Sequence, residues 1–176
     1  MVRVGLDIGG TKTAALVVDA TGRTLSLVQR PTSVGRPERL VEGIVATLDH
    51  ALDAAGVARA DVAAVGVGVP GQVDPDSGTV KLAVNLNLHE PFPLAGALAT
   101  ALRTPVTLEN DVRAAAWGAF HWASASRPLT SLAYLSIGTG IAAGLVLDGR
   151  LYRGAHGMAG EIGHIPVDPA GPRCVC

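Results

Sequence analysis

Asp7 and the residues after it have the types and spacing of a phosphate-binding turn. An apolar run at residues 2–8 contains the single carboxylate of Asp7, and Gly9, Gly10 and Thr11 follow before a second apolar run begins. Glycines allow positive φ and close approach, and backbone N–H groups in such a turn converge on phosphate oxygens. Asp7 would then hold Mg²⁺, most simply through water. The alternative is a β-hairpin turn that is merely rich in glycine.

A second turn of the same kind lies in the later part of the chain. Gly138, Thr139 and Gly140 separate two apolar segments that are predicted to be strands. Two such hairpins could hold one phosphate chain from opposite sides of a cleft. The pattern predicts two lobes, an N-terminal lobe at residues 1–125 and the start of a second at residues 126–176. The P-loop pattern is absent from the sequence, so a nucleotide would be held in another way.

Asp111 is the candidate general base. It follows Glu109 and Asn110, where a short apolar strand at residues 106–108 meets an alanine-rich helix at residues 111–123. A carboxylate at a strand end that faces a cleft can accept the proton of a substrate hydroxyl, and an ordinary aspartate is ionised at pH 7. The alternative is that Asp111 is the N-cap of the helix and satisfies its first N–H groups.

Two further groups of polar side chains lie near residue 176. Glu161 and His164 are three residues apart, so a helical turn would place them on one face, where an acceptor and a donor suit a vicinal diol. His164, Cys174 and Cys176 have the ligand types of a structural zinc site with one ligand missing. The alternatives are a polar loop and two ordinary thiols on a tail.

These candidate residues need a scaffold of strands and helices to position them. An apolar residue recurs at every fourth position from Leu40 to Leu52, which predicts an amphipathic helix over residues 37–55. Asp148 and Gly149 are predicted to form a type I′ hairpin turn. Further strands are predicted at residues 2–8, 14–19, 24–30, 62–69, 106–108, 132–137 and 141–147, further helices at 93–102 and 111–123, and irregular chain after residue 150.

Composition narrows the class of protein. The 176 residues carry a formal net charge of −1 and no basic cluster, which argues against nucleic-acid binding through phosphates. Hydrophobic residues make up 48% but aromatic residues only 3%, so the core must consist largely of Ala, Val and Leu. The sequence has no apolar stretch of the ~18 residues that a membrane span needs and no signal-peptide pattern, so the expected location is the cytoplasm.

Five motifs, in this order along the chain, resemble the ROK family of sugar kinases and related repressors, which belongs to the actin-like ATPase superfamily. The resemblance implies an α/β fold of the actin-like (ribonuclease H-like) type, with a mixed sheet, flanking helices and an incomplete second lobe, since family members continue past residue 176. The motifs are Asp7-Ile-Gly-Gly-Thr-Lys12, Gly68-Val-Pro-Gly71, Glu109-Asn-Asp111, Gly138-Thr-Gly140, and Gly157-Met-Ala-Gly-Glu-Ile-Gly-His164 followed by Cys174-x-Cys176, which looks like the family signature leading into its zinc loop.

The resemblance implies ATP-dependent phosphorylation of a hexose 6-hydroxyl, most simply that of glucose, and a homodimer as the assembly. N-acetylglucosamine and N-acetylmannosamine kinases share these motifs and remain alternatives. So do a sugar-binding repressor of the family and a non-catalytic remnant. The repressors carry a helix-turn-helix ahead of the first hairpin, and none is expected here because the first strand is predicted to start at Val2. On its own, the chain is expected to bind sugar weakly and to transfer no phosphoryl group, because it lacks the adenosine-binding part.

The same resemblance implies residue roles. Asp111 matches the catalytic base, and Asp7 lies near the Mg²⁺ that accompanies ATP. His164 is assigned twice, as a sugar ligand and as a metal ligand, which its two ring nitrogens allow. The sugar ligands are Gly71, Asn85, Asn110, Asp111, Glu161 and His164; the phosphate-binding residues are Gly9, Gly10, Thr11, Lys12, Gly138, Thr139 and Gly140; the ligands of structural zinc are His164, Cys174 and Cys176.

Overall fold

The structure of the chain is a computed structural model, which describes residues 1–138 and 140–173. Contacts divide the chain into two compact units, residues 1–111 and residues 112 onward, which are described separately. The elements are β1 (Val2–Ile8), β2 (Lys12–Val18), β3 (Thr24–Pro31), α1 (Pro37–Ala55), β4 (Val62–Val69), β5 (Gln72–Asp74), β6 (Thr79–Leu82), α2 (Leu94–Leu102), β7 (Val106–Asn110), α3 (Asp111–Ser124), β8 (Leu132–Ile137), β9 (Ile141–Leu147) and β10 (Arg150–Tyr152), with short 3₁₀ turns at Arg59–Asp61, Val84–Leu86 and Ile162–His164.

The first unit is built on a five-stranded mixed sheet in the order β3-β2-β1-β4-β7. β1, β2 and β3 pair antiparallel, whereas β1, β4 and β7 run parallel. Along β1, the side chains of Val2, Val4, Leu6 and Ile8 are buried and those between them are exposed. This period of two directs one face of the strand to the core and leaves Asp7 on the opposite face. The mixed sheet with flanking helices is as predicted.

α1 and α2 pack against the apolar face of this sheet and against each other. The apolar stripe of α1, from Leu40 to Leu52, is no more than 2% exposed at each of its four positions. Pro37 begins α1, where its missing N–H is not needed, and Gly56 ends the helix with a left-handed φ of 65°. The helix predicted over residues 37–55 is therefore confirmed at both ends.

Three short strands lie outside what the sequence pattern predicts. β5 and β6 form a two-stranded sheet on either side of a polar turn. β10 pairs with β9 across Asp148 and Gly149, whose φ values of 50° and 70° are both positive, as a type I′ turn requires. Each of these strands has only three or four residues, too few to show a periodic pattern, so hairpin pairing rather than local sequence defines them.

The second unit packs most of α3 against the antiparallel sheet β10-β9-β8. Helix and sheet approach closely at Gly144, where a Cβ would overlap Ala116 and the backbone of α3. Because most of α3 groups with the strands that follow it, the boundary between the two units falls after residue 111. The lobe boundary predicted after residue 125 stays a prediction. No helix within the described part of the chain is long and apolar enough to cross a membrane.

Candidate active site

The carboxyl ends of three parallel strands bring the polar residues of the first unit together. In the register of the sheet, Asp7 of β1 stands opposite Gly68 of β4, and Gly68 stands opposite Glu109 of β7. Neighbouring strands are about 4.8 Å apart, so residues on β1 and β7 are separated by roughly two such steps. The end of β7 passes directly into α3, which places Asp111 at this same edge of the sheet.

Asp7 and Asp111 are close enough to interact electrostatically. Partial burial raises the pKa of Asp7 above its ordinary value of 3.8, and the negative charge of Asp111 raises it further. Two carboxylates that repel each other form a site that favours a bound cation. Asp111 is itself the first helical residue of α3, so Asn110 occupies the position before the helix. A carboxylate in the first turn is also stabilised by the helix dipole.

The glycine turn after β1 is hydrogen-bonded within its own backbone and to Thr32, the residue after β3. The N–H of Gly9 donates to the carbonyl oxygen of Lys12 at 2.8 Å, and the hydroxyl of Thr32 donates to the carbonyl oxygen of Gly9 at 2.7 Å. A Cβ on Gly10 would lie 2.9 Å from the carbonyl oxygen of Asn85. The first predicted phosphate-binding turn and a predicted sugar ligand are therefore neighbours.

Two other predicted sugar ligands of this unit, Asn110 and Gly71, are hydrogen-bonded to each other. The side-chain amide of Asn110 donates to the carbonyl oxygen of Gly71 at 3.2 Å. Gly71 has a φ of 93°, and a Cβ there would overlap the carbonyl oxygen of Leu82, so only glycine fits this turn. The first unit thus gathers Asp7, Gly9, Gly10, Gly71, Asn85, Asn110 and Asp111 around one edge of its sheet.

The second predicted phosphate-binding turn connects β8 and β9. Gly138 donates its N–H to the carbonyl oxygen of Gly140 at 2.9 Å, and a Cβ on either glycine would meet no atom within 4 Å. The space beside Gly138 and Gly140 is therefore open. Thr139 lies outside the described residues.

Glu161 directly precedes a short 3₁₀ turn of the second unit, Ile162–His164, and His164 is the last residue of that turn. The carboxylate oxygen of Glu161 is 4.0 Å from Nε2 of His164. Gly160, with a φ of 99°, accepts a hydrogen bond from the N–H of Ala143 at 2.7 Å, which attaches this segment to β9. Sequence analysis overlooks Arg113, a buried charged residue of α3 whose guanidinium donates to the carbonyl oxygen of Gly157.

The zinc prediction concerns residues of which only one is described. His164 lies on the 3₁₀ turn, whereas Cys174 and Cys176 lie outside the described residues. Within residues 1–138 and 140–173, no three or more His, Cys, Asp or Glu side chains are placed to hold one metal ion together. The zinc site therefore stays a prediction.

The mixed sheet with carboxylates and a glycine turn at its strand ends places the protein among α/β proteins of the actin-like ATPase fold. The sequence matches the ROK family over residues 3–176, and the chain belongs to that family. It is 36% identical over 173 residues to the glucokinase of Streptomyces coelicolor, an alignment that covers 98% of this chain and 52% of the relative. The chain thus spans about half the length of the curated relatives it matches.

Two solved structures show what members of this family do. A ROK family glucokinase from Streptomyces griseus, solved in complex with glucose and AMPPNP, superposes with a TM-score of 0.82 at 39% identity, covering 97% of this chain and 52% of that one. A ROK family transcriptional regulator, a homologue of the Escherichia coli MLC protein, superposes with a TM-score of 0.82 at 26% identity, covering 99% of this chain and 44% of that one. The family therefore contains both kinases and regulators.

Proposed function

We propose that this chain carries the sugar-binding and catalytic part of an ATP-dependent hexose kinase, with glucose as the first candidate substrate. The observation that carries the proposal is the electrostatic contact between Asp7 and Asp111 at the edge of the sheet where β1, β4 and β7 end. Similarity to a glucokinase that was solved with glucose and an ATP analogue supports the choice of substrates.

In the proposed reaction, Asp111 is the general base. Its carboxylate accepts the proton of the sugar 6-hydroxyl as that oxygen attacks the γ-phosphorus of ATP, and the bond to the β,γ-bridging oxygen breaks, so that ADP leaves. Phosphoryl transfer depends mainly on positioning and on compensation of phosphate charge. In the first unit, the turn formed by Gly9, Gly10, Thr11 and Lys12 would supply backbone N–H groups to the phosphates, other than that of Gly9, which donates to Lys12.

Asp7 is the residue that would hold Mg²⁺. Its position suits the ion, because a partly buried carboxylate beside a second carboxylate is better balanced with a cation than without one. When bound, Mg²⁺ would neutralise part of the charge of the phosphate chain. The role of this chain is then to keep Asp7 at the end of β1, where the alternation of buried and exposed residues directs it away from the core.

The remaining sugar contacts are proposed for two groups of residues. In the first unit, Asn85, Asn110 and the backbone of Gly71 would bind sugar hydroxyls, and the hydrogen bond from Asn110 to Gly71 supports a fixed orientation of that amide. In the second unit, Glu161 and His164 would accept from and donate to neighbouring hydroxyls. A homodimer remains a proposal from the family resemblance, which light scattering of the purified protein would test.

The general-base assignment is tested with Asp111→Asn in a full-length protein that includes these 176 residues, because the chain on its own is expected to lack the adenosine-binding part. Removing a general base lowers turnover by about 10²- to 10⁴-fold, so glucose-dependent ADP formation should fall by that factor. The glucose dissociation constant, measured by calorimetry, should stay within about threefold because an amide of the same shape still binds hydroxyls. Asp53→Asn is the matched control, since Asp53 is an exposed residue of α1, and it should leave both values unchanged.

Either of two results would contradict the proposal. Turnover of Asp111→Asn close to that of the unmodified protein would rule out a general base at this position. An unmodified chain that shows no heat of binding with glucose, N-acetylmannosamine or N-acetylglucosamine would rule out the proposed sugar site.

A further inference from the structure

Arg113 is the one charged residue among the buried residues in the described part of the chain. It is 4% exposed, and the other buried polar residues are three threonines. Burial of a guanidinium is unfavourable unless hydrogen bonds replace its contacts with water. It also lies in the first turn of α3, where the helix dipole disfavours positive charge. Stability of α3 alone therefore does not explain an arginine here.

The guanidinium of Arg113 is hydrogen-bonded to a loop that is distant in sequence. Its Nη1 donates to the carbonyl oxygen of Gly157, which is 44 positions further along the chain. Gly154, Gly157 and Gly160 in this loop all have positive φ values, between 69° and 99°. Three glycines in so short a segment raise the conformational entropy that must be lost when the loop orders. The bond from Arg113 restricts the middle of that segment.

The loop has a second attachment, to β9. The N–H of Ala143 donates to Gly160 at 2.7 Å, and Gly163 lies so close to Ile141 that a Cβ on Gly163 would overlap its carbonyl oxygen. Glu161 directly follows Gly160, and the 3₁₀ turn that ends at His164 comes next. The loop is therefore attached to β9 at the turn itself and to α3 through Arg113, just before the turn.

We propose that Arg113 is a positioning residue for the sugar ligands Glu161 and His164, an inference that rests on the proposed sugar-binding function of that pair. Arg113 contacts no sugar in this proposal. By holding Gly157, it fixes the loop that follows β10 and keeps the carboxylate and the imidazole at their separation of 4.0 Å. Loss of this bond would leave the fold of the second unit in place but widen the range of positions of both ligands.

The test combines hydrogen exchange with sugar binding in the 176-residue chain. Arg113→Met removes the charge and the donors at similar length, whereas Arg113→Lys keeps the charge and an ammonium donor group but lacks the planar guanidinium fork. Arg113→Met should speed exchange of the Ala159, Ile162 and His164 amides by about tenfold or more. It should weaken glucose binding by at least about tenfold, the scale expected for a lost charge-assisted hydrogen bond. Arg113→Lys should restore part of both.

Two control variants separate positioning from general stability. Arg127→Met removes an exposed arginine just after α3 and should change neither exchange nor binding. Val146→Ala opens a cavity at a fully buried position of β9 and should lower Tm without weakening glucose binding. The two variants are compared at an equal loss of Tm. If Arg113→Met then weakens glucose binding no more than Val146→Ala does, Arg113 is only structural and the inference is wrong.

The two proposals fail in different ways. If the unmodified chain binds no sugar, the proposed function fails; unchanged exchange of the loop amides in Arg113→Met and Arg113→Lys would overturn the positioning inference whatever the sugar result. If Arg113→Met does not fold, as circular dichroism would reveal, Arg113→Lys decides: binding and exchange identical to those of the unmodified chain, despite the loss of the guanidinium fork, would also overturn it.

Discussion

Replacing Gly10 by alanine should disturb a predicted sugar ligand although Gly10 itself belongs to the predicted phosphate-binding turn. The new Cβ would lie 2.9 Å from the carbonyl oxygen and 3.2 Å from the Cβ of Asn85. Both are shorter than ordinary van der Waals contacts, and the first is to backbone, which does not rotate away. Overpacking of this kind destabilises by about 1–3 kcal/mol. If Asn85 moves to relieve the overlap, one hydrogen bond worth about 0.5–1.5 kcal/mol is lost, and the glucose dissociation constant rises roughly twofold to tenfold.

Gly5→Ala is the matched control for this prediction. Gly5 belongs to β1, the strand that leads into the same turn, and a Cβ there would meet nothing within 4 Å. Alanine is favoured over glycine inside a strand by about 0.5–1 kcal/mol, so Gly5→Ala should be slightly stabilising and should not affect sugar binding. Urea unfolding followed by circular dichroism gives the stability and calorimetry gives the affinity. Equal stability and equal affinity of the two variants would refute the reasoning.

Three further predictions concern charge and backbone conformation. Asp7→Asn should stabilise the protein at pH 7 by about 0.5 kcal/mol, a small value because solvent screens a partly exposed pair. Because the pKa of Asp7 is raised in the folded state, its ionisation lowers the free energy of unfolding as pH rises above 3.8. The urea midpoints of the two proteins should therefore converge below that pH. The hydroxyl of Thr21 and N–H donors of the same turn lower the pKa of Asp19 to about 2. Asp19 therefore contributes stability above pH 3.8 that is lost as pH falls toward 2. Asp19→Asn should make the decline of Tm over that pH range less steep. Gly160→Ala should lower the free energy of unfolding by about 2–5 kcal/mol in urea titration, because alanine is strained at a φ of 99° and its Cβ would overlap a carbonyl oxygen of β9.

The sequence predicts the elements of the first unit well where local pattern and burial coincide. The stripe from Leu40 to Leu52, with Pro37 before it and Gly56 after it, carries everything needed to place α1. The strand at residues 62–69 is an equally clear apolar run. By contrast, β2 begins two residues earlier than its apolar run, because Lys12 is paired with β3 rather than selected by its own preference. Pairing of that kind depends on residues far away in the chain.

The candidate site could be predicted as a set of residues but not as an arrangement. The sequence marks Asp7 and Asp111 as carboxylates at strand ends, yet nothing local indicates that their strands are separated by β4 alone. That order determines their electrostatic contact. The role of Arg113 could not be predicted for a similar reason. An arginine in an alanine-rich helix is expected in solvent, and its burial and its hydrogen bond to Gly157 depend on residues far away in the chain.

β7 passes into α3 without a connecting residue, since the strand ends at Asn110 and the helix begins at Asp111. This junction should therefore tolerate no change in length. Each residue of an α-helix turns the chain by about 100°, so a single inserted residue would rotate the Asp111 carboxylate about a quarter of a circle away from Asp7. A deletion or insertion at this junction should abolish the proposed activity, whereas a loop elsewhere in the protein would tolerate the same change. Natural relatives should therefore not vary in length at this point.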